Sequence, residues 1–250
     1  MQAKPTNMRN AVKLSEVFAD FLRHADNHVF LLPSLLMIAY VIVTDPSLSH
    51  LGWFLLGWLI FLPQEYLTHV YILHARLPKS RKWYRLMYRL HYGHHDLPRR
   101  ADLMYMPLWL TLPMALGNIL LFAVLSNTIE QWMMCLSGLF TGYLVFEFTH
   151  LLCHVPHNPK TAIGKQIKNR HLWHHYRNEK RWFSVSLPAL LIDNLLGTAG
   201  SKDKTEQSAT SKYLGLDAQH PWLLEARAEF AQRSSGNDDS SRIWLGAKQQ

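Results

Sequence analysis

Ten of the fifteen histidines fall into four tight clusters, and imidazole is a ligand suited to several transition metals. The clusters are His69 and His74 in His-Val-Tyr-Ile-Leu-His, and His91, His94 and His95 in His-Tyr-Gly-His-His. Then come His150 and His154 in His-Leu-Leu-Cys-His, and His171, His174 and His175 in His-Leu-Trp-His-His. On a helix, residues at i, i+3 and i+4 share one face. Each triple cluster is therefore expected to aim three imidazoles one way, and His150 with His154 does likewise. His69 and His74 are five apart, a turn of roughly 140° on an ideal helix. Either that pair grips from two sides or the helix deforms there. A lone histidine is ordinarily a hydrogen-bonded side chain at a helix end; His24, His28, His50 and His220 are read that way. His157, near the third cluster, is read as supporting or incidental.

Ten imidazoles exceed the capacity of one ion, since a tetrahedral zinc site takes four ligands. They suit two ions with five ligands each, which leaves coordination positions for oxygen. Imidazole serves iron, copper, nickel and zinc alike, so ligand type leaves the metal open. A reaction that consumes O2 would require a redox-active metal, which excludes zinc as the working ion. Two irons could share the electrons needed to cleave dioxygen and attack an unactivated C–H bond. Two acids sit inside apolar stretches, and an ionisable residue there is a functional candidate. Glu65 lies one turn before His69, and Glu147 three residues before His150. Each is placed to accept a hydrogen bond from the free N–H of a ligand histidine and fix its tautomer. Glu147 and His150 form a Glu-x-x-His unit of the kind used by soluble di-iron bundles. The second such unit and the further glutamates those bundles need are missing from the facing stretches.

The elements that must carry these clusters are four apolar stretches, about Val29–Val43, Leu51–Leu73, Met104–Leu125 and Gln131–Leu152. Each is close to the ~20 residues that cross a bilayer as a helix. The first begins too far from the N-terminus, and lacks the small-residue cleavage site, to be a usual signal peptide. Short turns at Thr44–His50 and Ser126–Glu130 pair the stretches into two hairpins. Of the 26 Lys and Arg residues, four precede Val29, eight lie in Arg76–Arg100 and fourteen follow from Lys160, with none in either short turn. The positive-inside rule then puts both termini and Arg76–Arg100 on the cytoplasmic side. All four histidine clusters meet at that same face. The alternative, a soluble protein with a large helical core and basic loops, requires helices to stay apolar for unusually long runs. The net charge of +8 and pI near 9.5 are thus read as membrane orientation, not as nucleic-acid binding. Lys79–His95 reads as a helix lying along the membrane surface. Residues 201–250 are polar, with one helix at Pro221–Arg233 opened by proline and a disordered stretch around Ser234–Ser241. The expected organisation is a cytoplasmic N-terminal segment (1–28), a membrane-embedded domain (29–200) and a polar cytoplasmic tail (201–250). Cys135 and Cys153 are two thiols in apolar surroundings, too few for a disulfide framework or a cysteine zinc site.

In this order, His-x4-His, His-x2-His-His, His-x3-His and His-x2-His-His resemble the fatty acid hydroxylase superfamily (sterol desaturase/fatty acid hydroxylase type). Within it the chain is most similar to fatty acid 2-hydroxylases. They carry a glutamate four residues before the first histidine, as Glu65 stands before His69. They carry variants of His91-Tyr-Gly-His94-His95-Asp96, an acid where Glu147 stands, and a closing Asp-x-x-x-Gly-Thr, matched by Asp193-Asn-Leu-Leu-Gly197-Thr198. The likeness runs from Glu65 to Thr198. It implies an all-α integral membrane protein, with four transmembrane helices in two hairpins and a cytoplasmic helical cap. It further implies an oxidoreductase of the monooxygenase type whose ten histidines hold two iron ions, replaceable by zinc in a purified protein. O2 is the implied co-substrate, and oxygen enters a fatty acyl chain from the bilayer at the 2-position. Glu65, Glu147 and Asp193 are the implied acids around that site. Three positions depart from the pattern: Phe146-Glu147 replaces Tyr-Asp, Trp182-Phe183-Ser184 replaces Gly-Phe-Gly, and Ile192 replaces Trp. Carotenoid hydroxylases share much of the histidine pattern. Desaturation, or hydroxylation of a sterol or carotenoid, is the alternative use of the same site. A histidine-rich zinc-binding or zinc-transport protein is the alternative of another class. Residues 1–28 hold no haem domain and the chain has no Gly-rich dinucleotide fingerprint. Electrons are therefore expected from a separate haem protein or ferredoxin. The basic Lys79–Arg89 face could dock an acidic donor, and anchoring at the membrane explains it equally well.

Overall fold

The computed structural model describes residues 12–234, which form helices and connecting loops and no strand. The elements are α1 (Leu14–Arg23), α2 (Ala25–Thr44), α3 (Ser49–Thr68), the π-helical turn π1 (His69–Leu73), α4 (Arg81–Met87), a second π turn π2 (Tyr88–Tyr92), and the one-turn helices α5 (Gly93–Asp96) and α6 (Ala101–Met104). They continue with α7 (Leu108–Leu125), α8 (Ile129–His154), α9 (Ala162–Tyr176), α10 (Leu190–Leu195) and α11 (Pro221–Ser234). Side-chain caps open three of them. Thr128 accepts from Gln131 N ahead of α8, Thr161 from Gly164 N ahead of α9, and Ser80 from Trp83 N ahead of α4.

Helix α8 is the axis of the bundle, with α3 and α2 packed along it. The α3–α8 crossing is made by glycines on both sides. A Cβ on Gly57 would lie 1.9 Å from the carbonyl oxygen of Cys135, and one on Gly138 would lie 1.9 Å from that of Phe54. Only residues without a side chain let two backbones approach so closely. The α2–α8 contact is pinned by a serine pair: each of Ser34 and Ser137 donates to the other's carbonyl, both at 3.3 Å.

Helices α2, α7 and α8 are long and apolar enough to cross a membrane. The fourth expected span, α3, is equally long at 20 residues but falls short in hydropathy, because it also carries Gln64 and Glu65 near its end. Outward faces are greasy: Leu36 is 70% exposed, Val43 81% and Val124 85%. The expected helix at Lys79–His95 is present as the continuous run α4–π2–α5.

The polar tail expected over 201–250, with one helix opened by Pro221, is described as far as residue 234. The helix is there as α11, but the segment is packed into the molecule. Leu223, Ala226 and Phe230 are buried against Tyr84, Tyr88, Tyr92 and Leu103. The stretch around Ser234–Ser241 read as disordered lies, from residue 235 on, outside the described residues, as do residues 1–11.

Candidate metal centre

The ten clustered histidines come together in two groups of five. The first is His69, His74, His91, His95 and His174; the second is His94, His150, His154, His171 and His175. Within each group the candidate ligand atoms all lie within 4.8 Å of one another. Both triple clusters are divided between the groups, contrary to the expectation of three imidazoles aimed one way. The i and i+4 members stay together (His91 with His95, His171 with His175), and the i+3 member turns to the other group. Short helices α5 and α9 are therefore shared brackets that feed both groups.

The pair five apart meets because the helix deforms. His74 N donates to His69 O at 2.9 Å, an i→i+5 bond that defines a π turn. The wider turn stacks the two side chains on one face. The second π turn, π2, ends in the same way, with Gly93 N bonded to Tyr88 O, and carries His91.

Every ring turns its Nε2 inward. Nε2–Nε2 separations are 3.3 Å for His69–His91, 3.0 Å for His74–His91 and 3.1 Å for His74–His174. In the second group they are 2.9 Å for His94–His150, 2.7 Å for His154–His171 and 3.1 Å for His171–His175. Ligand nitrogens at about 2.0–2.1 Å from a shared ion stand about 3 Å apart. Three rings of the first group donate from Nδ1 to backbone carbonyls: His69 to Phe183 O, His174 to Arg181 O at 2.8 Å and His95 to Ser211 O at 2.9 Å. A carbonyl only accepts, so Nδ1 carries the proton and Nε2 a lone pair. Lone pairs crowded together repel unless a cation lies between them. Burial, reinforced by neighbouring imidazoles, holds His91, His94, His171 and His175 well below the ordinary histidine range; burial likewise lowers His174, and takes His95 to about 3. The rings are thus neutral near pH 7, with lone pairs available for a metal. This donor set fits two metal ions.

The acids act at one remove from the rings. Glu65 accepts Val185 N at 2.7 Å, Ser186 N at 3.0 Å and the Ser186 hydroxyl. Asp193 accepts Phe183 N and Ser184 N, each at 3.0 Å, the Thr198 hydroxyl at 2.7 Å and Arg170 at 3.3 Å. Four successive backbone amides, 183–186, are thereby captured by two buried carboxylates. Glu147 accepts Met106 N at 3.0 Å and the Tyr143 hydroxyl at 2.9 Å. None of these bonds goes to a histidine, contrary to the expectation for Glu65 and Glu147. The carboxylates hold the backbone, and the backbone carbonyl of Phe183 holds His69. Trp182, just before this strip, is fully buried with φ +54, a left-handed conformation that costs a non-glycine residue ~1–2 kcal/mol. It stands at one of the positions departing from the glycine-bearing pattern. Its ring N–H bonds Gly200 O at 3.0 Å and its backbone N–H bonds Thr198 O at 3.1 Å.

Residue types alone did not reveal the carbonyls of Arg181, Phe183 and Ser211, or Ser186. A backbone carbonyl is common to every residue and leaves no trace in sequence. On the bundle side, an apolar cavity of about 70 Å3 lies between α3, α7 and α8, walled by Phe61, Leu73, Met106, Leu139 and Phe146, with His69 among its lining residues. The Phe146 ring, one wall of the cavity, stacks on His150 of the second group at 5.8 Å. Among the cavity's polar lining residues are Gln64 and Asn118, whose amides exchange hydrogen bonds of 2.7 and 3.0 Å.

Residues 54–198, more than half of the chain, match the sequence profile named fatty acid hydroxylase. The fatty acid 2-hydroxylase of Rattus norvegicus is 27% identical over 144 residues, covering 56% of this chain and 38% of that protein. The fatty acid 2-hydroxylase of Homo sapiens is 25% identical over 147 residues, covering 58% and 39%. The chain thus matches well under half the length of these curated relatives. A solved structure described as full-length scs7p, with only the hydroxylase domain visible, shares the fold at a TM-score of 0.64, with 23% identity over 73% of this chain and 68% of that one.

Proposed function

The chain belongs to the fatty acid hydroxylase family, and from that premise we propose that it is a di-iron, O2-dependent hydroxylase of a fatty acyl chain, acting at the 2-position. The observation that carries this reading is the pairing of two five-histidine groups with an apolar cavity that His69 of the first group helps to line. Two iron ions, when bound, supply the redox chemistry that activates O2 and breaks an unactivated C–H bond. His69, His74, His91, His95 and His174 would hold one ion, and His94, His150, His154, His171 and His175 the other. Glu65, Glu147 and Asp193 are positioning residues for the backbone around them. The cavity's apolar walls bind the chain and exclude water, and the His69 lining brings a carbon near the chain's polar end to the centre.

Helices α2, α3, α7 and α8 would span the bilayer. The Lys and Arg distribution would place both termini and the histidine groups on the cytoplasmic side. Residues 29–200 would form the membrane-embedded domain, with residues 201–234 packed onto its cytoplasmic side. Electrons would come from a separate haem protein or ferredoxin.

The deciding experiment is mass spectrometry of saponified lipids from cells expressing the wild type or His94→Ala, with a competent electron donor present. A wild-type-specific gain of one oxygen beside the carboxyl carbon is expected. A loss of two hydrogens instead would move the reaction to desaturation. No change with folded, metal-loaded protein would overturn the acyl substrate and favour the zinc-binding reading.

A further inference from the structure

Helix α5 is a single turn, yet it gives one ring to each group: His94 to the second and His95 to the first. As the last turn of the continuous run that begins with α4, it is a helix end, which frays unless contacts hold it. The residues that hold it come from far along the chain. The Asp96 carboxylate, in a residue only 3% exposed, accepts Arg227 Nε and Nη2, both at 2.6 Å, and the Tyr88 hydroxyl at 2.9 Å. The Arg227 guanidinium also lies 5.3 Å from the Tyr213 ring centroid. His95 Nδ1 donates to Ser211 O. Ser211, Tyr213 and Arg227 all lie beyond the residues 54–198 that match the family profile.

We infer that residues 208–230 are a positioning element of the metal centre and that Arg227 is its positioning residue. Acting through Asp96, Arg227 fixes α5 so that His94 and His95 face different ions. The inference rests on the two-ion reading proposed above. A bidentate guanidinium–carboxylate pair sets orientation as well as distance. Without it, a buried carboxylate has to turn toward water, carrying α5 with it and withdrawing one ring from each group at once. Loss of this contact should therefore loosen both ions together, whereas loss of any single histidine strikes one.

The same helix offers a control. Arg85 of α4 pairs with Glu229 of α11 on the same interface but away from Asp96, so Arg85→Ala weakens the docking of α11 without releasing α5. The test is iron content per chain of purified full-length protein under chelator competition, for wild type, Arg227→Ala, Arg227→Lys, Asp96→Asn and Arg85→Ala. Circular dichroism and size-exclusion chromatography check folding. Wild type and Arg85→Ala are expected to hold two equivalents. Arg227→Ala should release both ions in parallel at least about tenfold more readily. Arg227→Lys and Asp96→Asn, which keep part of the contact, should fall between and serve if Arg227→Ala does not fold. Two equivalents retained as in wild type by Arg227→Ala, or by both milder variants, would overturn the inference, as would equal losses in Arg85→Ala and Arg227→Ala. A folded wild type without stoichiometric metal would instead overturn the two-ion reading, and this inference with it.

Discussion

The two histidine groups have the same size and ligand type but are built differently. The second takes His150 with His154 and His171 with His175 from ordinary α-helices, where i and i+4 already share a face. The first takes His69 and His91 from π turns and His74 from the residue that closes one of them. Their outer partners differ as well. Nδ1 of His69, His95 and His174 is tied to backbone carbonyls, whereas Nδ1 of His94, His150, His171 and His175 has no hydrogen-bond partner among the described residues. One group is oriented by regular helix geometry, the other by a distorted helix braced from loops. Regular geometry needs only spacing, while distorted geometry needs neighbours from elsewhere in the chain.

The largest effects should come from removing a ring. His74→Ala and His154→Ala should each lower hydroxylation more than about 100-fold, beyond the range for losing an outer partner. Each should leave one ion bound by elemental analysis; loss of both ions in either variant would mean that the groups are not separable. Deleting Val70 comes next. It leaves the first pair four apart, the spacing of His150 and His154, and removes the extra residue that makes the π turn. If the first group depends on that turn, one ion and about 100-fold of activity are lost while the second ion stays. Two ions retained would show that the loops, not the turn, set the first group. Glu65→Gln should cost about 10–100-fold, since it disturbs the strip whose Phe183 carbonyl holds His69. Glu147→Gln, which touches no residue bonded to a ring, should cost less than about tenfold in the same lipid assay. An equal cost would mean that the second group is braced after all. The smallest effect belongs to Thr198→Val, which removes a hydroxyl bond to Asp193. It should lower stability by about 1 kcal/mol, read as a shift in thermal midpoint, with both ions retained.

This contrast also accounts for what could be read from the sequence. The spacing of His150 and His154 predicts one face of a straight helix, and the structure has it. The spacing of His69 and His74 predicts either a two-sided grip or a deformed helix, and only the hydrogen bond from His74 N to His69 O decides between them. Pro221 marks the start of α11 by a local rule, but nothing local indicates that Arg227 reaches Asp96 across 131 residues. The same holds for the division of each triple cluster. His94 and His95 turn to different groups, as rings about 100° apart around a helix can, and which group each ring meets depends on distant elements that a local spacing does not record. Glu65 and Asp193 were legible as important acids, while their partners were not, because those partners are main-chain amides.

The glycine crossing of α3 and α8 has a consequence for lipid traffic. Where Gly57 and Gly138 bring two backbones together, no acyl chain can pass, so the α3–α8 seam is closed at that level. The wall between α3 and α7 is different. Among the described residues, the hydrogen bonds joining those two helices are those of the Gln64–Asn118 amide pair. A lipid entering sideways from the bilayer would meet one zipped seam and one held by a single clasp. Opening that clasp inside a hydrocarbon environment exposes two amides with no water to receive them. Admission, and with it the turnover of a slowly exchanging substrate, would then be governed by how often two amides let go of each other.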